Sequence, residues 1–338
     1  MRLSLCAVSE TLPSVTVVIA ARPGQAEIKA VVAGRQLDYP RDRLEILVAR
    51  GKQPSVQRNQ AIRAAQGELI YFLDDDSVPP RENLRKTIGV FADPLVKMVG
   101  GPNLCPPDAP FIEQVFALVH ASFLAFGPSR ARYAAVGKVR ESGEKELILC
   151  NLIARKDSLL ELGGFDESLY PNEENALMDE VQKRGGKLLY DPQHIVYRRP
   201  RHDLKAFCKM LLNYGRGRAE QFKLHPTMGS APNFVPPLFC IYLVLLAVYM
   251  VLFAFSFRLP SLLAKMALVP LGVYALALIV QAMALIGKGG ILKSFCAIPF
   301  MFLTHLLYGI GFLRALFKPI KSPEARPKVE VVLERIQL

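Results

Sequence analysis

The sequence runs to 338 residues with 51% hydrophobic side chains and a formal net charge of +12. One large or two ordinary domains fit that length, and the apolar content exceeds that of an ordinary soluble chain. The positive charge suits an anionic membrane face or phosphorylated substrates; with no zinc-finger spacing or RNA-recognition signature, nucleic acid is excluded as the expected partner.

The six cysteines, Cys6, Cys105, Cys150, Cys208, Cys240 and Cys296, form no CxxC pair, which argues for reduced thiols on the cytosolic side and against a disulfide framework or thiolate metal site. The stretch from Met1 to Val15 carries only Arg2 before a brief apolar run broken by Ser9 and Glu10, so a secretory signal is not expected.

Val15 to Ala21 is β-branched and apolar and ends at Arg22-Pro23-Gly24, which predicts a strand and a loop. A helix over Glu27 to Gln36 and a strand over Leu44 to Ala49 follow. Ser55 is placed to cap a helix over Val56 to Ala65 that carries Arg58, Asn59 and Arg63. Next, Leu69 to Leu73 delivers Asp74, Asp75 and Asp76 to the end of an apolar run. A strand buried on both faces has this continuous apolar character, and ligands of open α/β sheets gather at the carboxyl ends of such strands. Three adjacent acids repel one another, a cost that a hard divalent cation removes while its open side takes phosphate oxygens. The competing reading is an acidic turn in which Ser77, ahead of Pro79-Pro80, starts a helix.

A helix to Phe91 and a strand over Val96 to Gly101 are expected next. Phe111 to Phe126 is apolar at near-helical spacing and predicts a core helix, with an interfacial helix as the alternative. Arg130 to Lys145 is charged and predicts a mobile loop over the site. Leu147 to Ala154 predicts a strand, and a helix through Leu162 stops at Gly163-Gly164. Phe165 to Asn175 then packs four carboxylates, Asp166, Glu167, Glu173 and Glu174, around aromatic and proline anchors; they suit a general base or the first turn of the helix over Ala176 to Arg184. After short strands at Lys187 to Tyr190 and Ile195 to Tyr197, positive charge concentrates from Arg198 to Arg218. Within it Tyr214-Gly215-Arg216-Gly217-Arg218 offers guanidiniums flanked by glycine, suited to a pyrophosphate or to anionic lipid.

Strands alternating with helices at this spacing predict an α/β head over residues 1–223. Three runs without acids or many cations follow, and each approaches the roughly 20 apolar residues that cross a bilayer. Two firm spans near 235–257 and 262–286 are expected, forming a hairpin around Arg258-Leu259-Pro260. The segment 294–317 either spans or is re-entrant, because a third crossing would carry the basic tail, 318–338, away from the side favoured for positive charge.

The order of these pieces resembles the membrane-associated glycosyltransferases of family 2, whose head has the GT-A fold, a Rossmann-like mixed sheet. The resemblance covers roughly residues 15 to 220 and rests on the leading strand and loop, Gln57-Arg58-Asn59, FLDDDS, GGFDE, the acidic pair Glu173-Glu174 and the arginines of YGRGR. It implies Mg²⁺ or Mn²⁺ at Asp74 and Asp76, and a nucleotide-sugar site of Ala20, Arg22, Arg58, Asn59, Asp74, Asp75, Arg216 and Arg218. Glu174 is the implied base, one methylene longer than the family's usual Asp, with Glu173 as substitute. Ala49-Arg50-Gly51-Lys52 replaces an Asp-Asp-x-Ser segment that contacts the base in many relatives, and the chain has no Trp for a QxxRW ending.

The implied function is inverting transfer of a sugar from a nucleotide-sugar donor to a lipid-linked or oligosaccharide acceptor, as in exopolysaccharide or surface-polysaccharide synthesis. The head would be cytosolic on a multi-pass inner-membrane anchor touching membrane lipids, with polysaccharide-assembly proteins as further candidate partners. The alternatives are a polyprenyl-phosphate sugar synthase and a membrane-anchored nucleotide-sugar-binding protein that has lost catalysis.

Overall fold

The computed structural model describes residues 12–169, 173–224, 226, 228–256, 261–319 and 330–338. The expected turn at Arg258-Leu259-Pro260, the segment before Leu12 and Tyr170-Pro171-Asn172 lie outside them.

Among the described residues the head is built on ten strands: β1 (Val15–Ala21), β2 (Leu44–Arg50), β3 (Leu69–Asp74), β4 (Val96–Gly100), β5 (Asn103–Leu104), β6 (Arg140–Ser142), β7 (Asn151–Arg155), β8 (Lys187–Tyr190), β9 (Val196–Tyr197) and β10 (Val332–Ile336). Eight form one mixed sheet in the order β10-β2-β1-β3-β7-β4-β8-β6, and β5 pairs with β9 in a small second sheet. The pairs β1–β2, β1–β3 and β4–β8 are parallel, while β7 runs antiparallel to both β3 and β4. Alternate residues of the central strands feed two cores. Val17, Ile19, Ile46, Tyr71 and Leu73 lie in one, and Val18, Leu47, Ile70 and Phe72 in the other. Strands buried on both faces have no polar side to show, which is why their sequence is continuously apolar.

Several local expectations shift. The Glu27 to Gln36 helix shortens to Lys29–Gly34, and the helix expected to reach Phe91 is Asn83–Thr87 followed by a 3₁₀ turn. The helix carrying Arg58 begins at Pro54, so Ser55 lies inside its first turn and donates to Leu169 O instead of capping. Pro is suited to that first position because its missing N–H is one that a helix start cannot use. The expected core helix at Phe111 to Phe126 divides into Phe111–His120 and Phe123–Phe126, bent at Ala121-Ser122. Arg130 to Lys145 is not a free loop: it contains a 3₁₀ turn and the edge strand β6, held by Arg140 on Glu146 and over the Tyr190 ring.

Behind the head, Leu204–Leu224 forms a long helix, and among the described residues two helices are long and apolar enough to cross a membrane, Val235–Ser256 and Ser261–Leu316. The second is broken at Gly290, whose φ of 76° lies in the left-handed region. The part before the break exposes most of its apolar side chains, as lipid-facing helices do. The part after it packs along the Leu204–Leu224 helix so tightly that a Cβ on Gly215 would come within 2.0 Å of Tyr308 O. Phe116, Phe207, Leu285, Ala297 and Met301 join head and tail in one apolar cluster. The end of the chain returns to the head. β10 adds antiparallel to β2, Glu334 pairs with Arg50 at 2.7 Å, and Arg335 pairs with Glu45.

Candidate active site

The carboxyl ends of β1, β2 and β3 are level. Ala20 lies across from Asp74 on one side and from Ala49 on the other. Gln57 donates to Ala21 O and Ala49 O, tying the ends of β1 and β2 to the helix that carries Arg58. The acidic turn itself is pinned: Ser77 N–H donates to Asp74 O, Ser77 Oγ to Cys150 O, and Ala30 N–H to Asp75 O. Ser77 therefore closes the strand end and starts no helix. Beneath it, a buried polar network joins Tyr71, Asn83, Asn151 and His194, holding β3, β7 and the approach to β9 in register.

Around this turn the charges interlock. Arg58 Nη2 lies 3.2 Å from Asp74 Oδ1, and its Nη1 lies 2.9 Å from Glu173 Oε1. Arg198 spans the two acids that the sequence marks as metal ligands, with Nη1 2.8 Å from Asp74 Oδ2 and Nε 2.5 Å from Asp76 Oδ1. It is delivered there because Tyr197 pairs with Val78 through two backbone hydrogen bonds, two residues beyond Asp76. Burial works to raise the Asp74 carboxyl, but Arg198 and Arg58 outweigh it and hold it below the usual carboxylate range. Asp76 goes the other way, raised by burial and by Asp74 and Asp75 in spite of Arg198. The side chains of Asp74 and Asp76 converge on one position of positive charge. A divalent cation that draws its remaining ligands from phosphate oxygens and water needs only such a pair of carboxylates, so these residues fit one. Among the described residues there is no cluster of three or more His, Cys, Asp or Glu that would make an all-protein cage.

Asn59 couples this turn to the GGFDE segment. Its amide donates to Phe165 O and Glu167 Oε1 and accepts from Phe165 N–H. Gly164, at φ 85°, leaves the space that Asn59 Oδ1 fills, since a Cβ there would stand 2.3 Å away. Asn59 is thus a brace within the head, between the helix Pro54–Ala64 and the GGFDE segment.

The first two residues of the helix Glu173–Lys183 diverge. Glu173 is 3% exposed and faces Arg58, with its Oε2 lacking a hydrogen-bond partner among the described residues. Burial, reinforced by repulsion from Glu174, pushes its carboxyl up to about 7 against the pull of Arg58. Glu174 instead lines a cavity of about 350 Å³ between the head and the apolar helices, together with Arg132, Lys145, Tyr214, Arg218 and Tyr308. There Arg218 is paired with Glu144 at 2.9 Å and bonded to Gln221. Burial alone would lower its affinity for a proton, but Glu144 and Tyr308 raise it further, so the guanidinium stays charged.

The remaining expected residues are less gathered. Arg22 is exposed beyond β1, and Asp75 lies between the two acids that Arg198 spans. Arg216 faces outward, 4.0 Å from Glu220, while Arg218, two positions on, faces the cavity. Gly215 gives the close approach of two helices described above, a demand distinct from exposing guanidinium to an anion. Arg50, in the segment where the resemblance implies an acidic base-contacting motif, binds Glu334 and the Gln25 carbonyl. Sequence reasoning missed Arg198; its signal was the basic run directly after a short strand. Arg132, which bonds Asn175 at 2.5 Å and also Glu144 O, was missed as well, inside the segment expected to be a loop.

Residues 3–212 match the family model described as glycosyltransferase like family 2. Over 206 residues the chain is 30% identical to the succinoglycan biosynthesis protein ExoA of Rhizobium meliloti (strain 1021), an alignment covering 60% of this chain and 56% of that one. Over 186 residues it is 26% identical to the pre-mycofactocin glycosyltransferase of Mycobacterium tuberculosis (strain CDC 1551 / Oshkosh), covering 52% of this chain and 36% of that one. The chain thus spans about a third to just over half the length of these curated relatives. In fold it is similar to the mannosyltransferase PcManGT of Pyrobaculum calidifontis, solved in complex with GDP-Man and Mn²⁺, with a TM-score of 0.52 at 18% identity and coverage of 91% and 88% of the two chains. With its mixed sheet, its acidic strand end and a match over most of its head, this chain belongs to glycosyltransferase family 2 and has the GT-A fold.

Proposed function

We propose that this chain is a metal-dependent inverting glycosyltransferase that moves a sugar from a nucleotide-sugar donor to a lipid-linked acceptor at the cytoplasmic face of a membrane, in surface-polysaccharide assembly. The observation that carries this reading is the divergence of Glu173 and Glu174 from one helical turn, one toward Arg58 and Asp74, the other into the cavity beside the apolar helices. The similarity to ExoA supports the biosynthetic setting.

Asp74 and Asp76 would hold Mg²⁺ or Mn²⁺, which when bound supplies positive charge for the departing diphosphate. Arg58 orients Asp74 and adds fixed positive charge at the same strand end, where preorganised charge needs no rearrangement during reaction, while Arg198, which bridges the two acids here, would yield the place between them to the cation. An acceptor hydroxyl in the cavity attacks the anomeric carbon while the bond from that carbon to the diphosphate breaks, its electron pair leaving with the nucleoside diphosphate. Glu174 takes the hydroxyl proton.

The membrane reading has two crossings, Val235–Ser256 and the part of the next helix before Gly290, with the part after Gly290 lying against the head. Support comes from β10, which sits in the head's sheet and so calls for an even number of crossings. Lys293 agrees, since it donates to Gln114 of the head. Domain limits of 1–223, 224–317 and 318–338 follow the same proposal, with β10 as the part of the tail that docks back.

The test is to incubate the purified full chain with Mn²⁺ and a panel of UDP, GDP and dTDP sugars, following thermal shift and release of nucleoside diphosphate. At least one donor is expected to stabilise the chain and be consumed, and Asp76→Ala to lower that turnover by about 100-fold or more. A panel in which nothing shifts or is consumed removes the transferase reading in favour of a protein that has lost catalysis.

A further inference from the structure

Between the acidic strand end and the large cavity lies a second, smaller chamber of about 60 Å³, ample for several waters or one edge of a pyranose ring. Arg198, which holds Asp74 and Asp76, forms one wall, and Tyr133 and Tyr214 form another. Those two tyrosines also line the cavity that contains Glu174, and their hydroxyls meet at 3.1 Å, so a single partition separates the two spaces.

Two of the residues that line the chamber carry polar atoms that the fold leaves unused. His120 Nε2 and Asn103 Oδ1 are buried and find no hydrogen-bond partner among the described residues. His120 is 4% exposed, its ring stacked on Tyr133 at 4.6 Å and edge-on to Phe126. Burial, with Arg201 nearby, lowers its proton affinity, so the ring is neutral and offers one N–H and one lone pair. Asn103 is fixed by the pairing of β5 with β9, the strand that leads into Arg198. Buried polar atoms without partners cost stability, and a fold retains them where a ligand completes them. Sugar hydroxyls both donate and accept, so they match a neutral imidazole and an amide that line one chamber.

We infer that His120 and Asn103 read hydroxyl groups of the transferred sugar in this chamber, making them specificity-determining residues for the donor. The inference rests on the transferase reading above and adds to it the place where the sugar is distinguished from the nucleotide.

The experiment measures binding of GDP-Man, GDP, UDP-glucose and UDP to the full-length chain with Mn²⁺, by calorimetry, for the wild type, His120→Phe and Asn103→Ala. The wild type is expected to bind one sugar nucleotide more tightly than its sugar-free diphosphate. Each variant is expected to lose about tenfold in that sugar nucleotide while its affinity for the free diphosphate stays within about twofold. His120→Phe is also expected to melt no lower than the wild type, because it removes an unpartnered polar atom and keeps an aromatic ring. A merely structural histidine would instead lower the melting temperature and leave the sugar preference intact, and that result overturns the assignment. Equal losses for sugar nucleotide and free diphosphate in both variants overturn it too. A wild type that binds the free diphosphates but gains nothing from either sugar rejects the chamber's role alone; one that binds none of the four rejects the transferase reading together with it.

Discussion

The two sides of the Glu173–Glu174 turn solve opposite electrostatic problems with the same side chain. On the sheet side, Glu173, Asp74 and Asp76 are stitched together by Arg58 and Arg198, so each of the three carboxylates has a cationic neighbour, and one buried oxygen of Glu173 has no hydrogen-bond partner among the described residues. On the cavity side, Glu174 faces a space with three cations in its walls, of which Arg218 and Arg132 are already engaged with Glu144 and its backbone. A tight ionic lattice suits the holding of a diphosphate, whose charge must be neutralised. An accessible carboxylate in a roomy, largely apolar cavity suits the acceptance of a proton from a bound molecule. The contrast teaches that adjacent identical residues acquire opposite surroundings from the direction the helix gives each of them.

The sharpest way to break this comparison is to neutralise each acid in turn. Glu174→Gln is expected to lower the turnover number with a hydroxyl acceptor by about 10²- to 10⁴-fold while leaving the donor-induced thermal shift intact. Glu173→Gln is expected to do less to turnover and more to donor affinity, because its partner Arg58 also holds Asp74. If the two variants show the reverse pattern, the roles are exchanged. If Glu174→Gln retains full activity, the acceptor oxygen is already ionised, as in a phosphate, and the polyprenyl-phosphate alternative gains.

How much of this was legible beforehand follows from how local each feature is. The strand ending in Asp74 to Asp76 declares itself within ten residues, because burial on both faces leaves a continuous apolar run and the acids stand at its end. The Glu173-Glu174 pair is as compact, and the two long apolar helices are visible from composition alone. Arg198 is different: it meets Asp76 across 122 residues of sequence, brought there by the small β5–β9 sheet and the bridge from Val78 to Tyr197. Nothing in a basic run tells which arginine turns inward. The docking of β10 on β2 is more remote still, joining Arg50 and Glu334 over 284 residues. Gly215 also illustrates the limit, since a glycine beside arginines has the same spelling whether it admits an anion or, as here, the backbone of a neighbouring helix.

A smaller effect separates the two acids by pH. Glu173 has its folded carboxyl raised from an ordinary 4.5 to about 7, chiefly by burial. Between those values the folded state binds more protons than the unfolded state, so this group makes stability fall as pH rises through that window, with no further change above it. Unfolding by denaturant across pH 4 to 8 is therefore expected to show a shallower decline for Glu173→Gln than for the wild type, with the variant relatively favoured at the alkaline end. Identical slopes would mean that Arg58 keeps Glu173 ionised throughout, and the lattice on the sheet side would then be a fully charged one.

The least effect is expected at the periphery of the sheet side, where β10 covers the edge of β2. Arg50 and Glu334 are about one-fifth and two-fifths exposed as side chains, and solvent screens a pair of that kind. Glu334→Ala is expected to cost about 0.2–1 kcal/mol, less at high salt, as measured by denaturant midpoints at two ionic strengths. Arg50 also donates to Gln25 O, in the loop that follows β1. Loss of Glu334 should therefore leave the arginine in place and donor binding unchanged. A loss of donor affinity larger than the loss of stability would instead make the returning strand part of nucleotide recognition at the edge of β2.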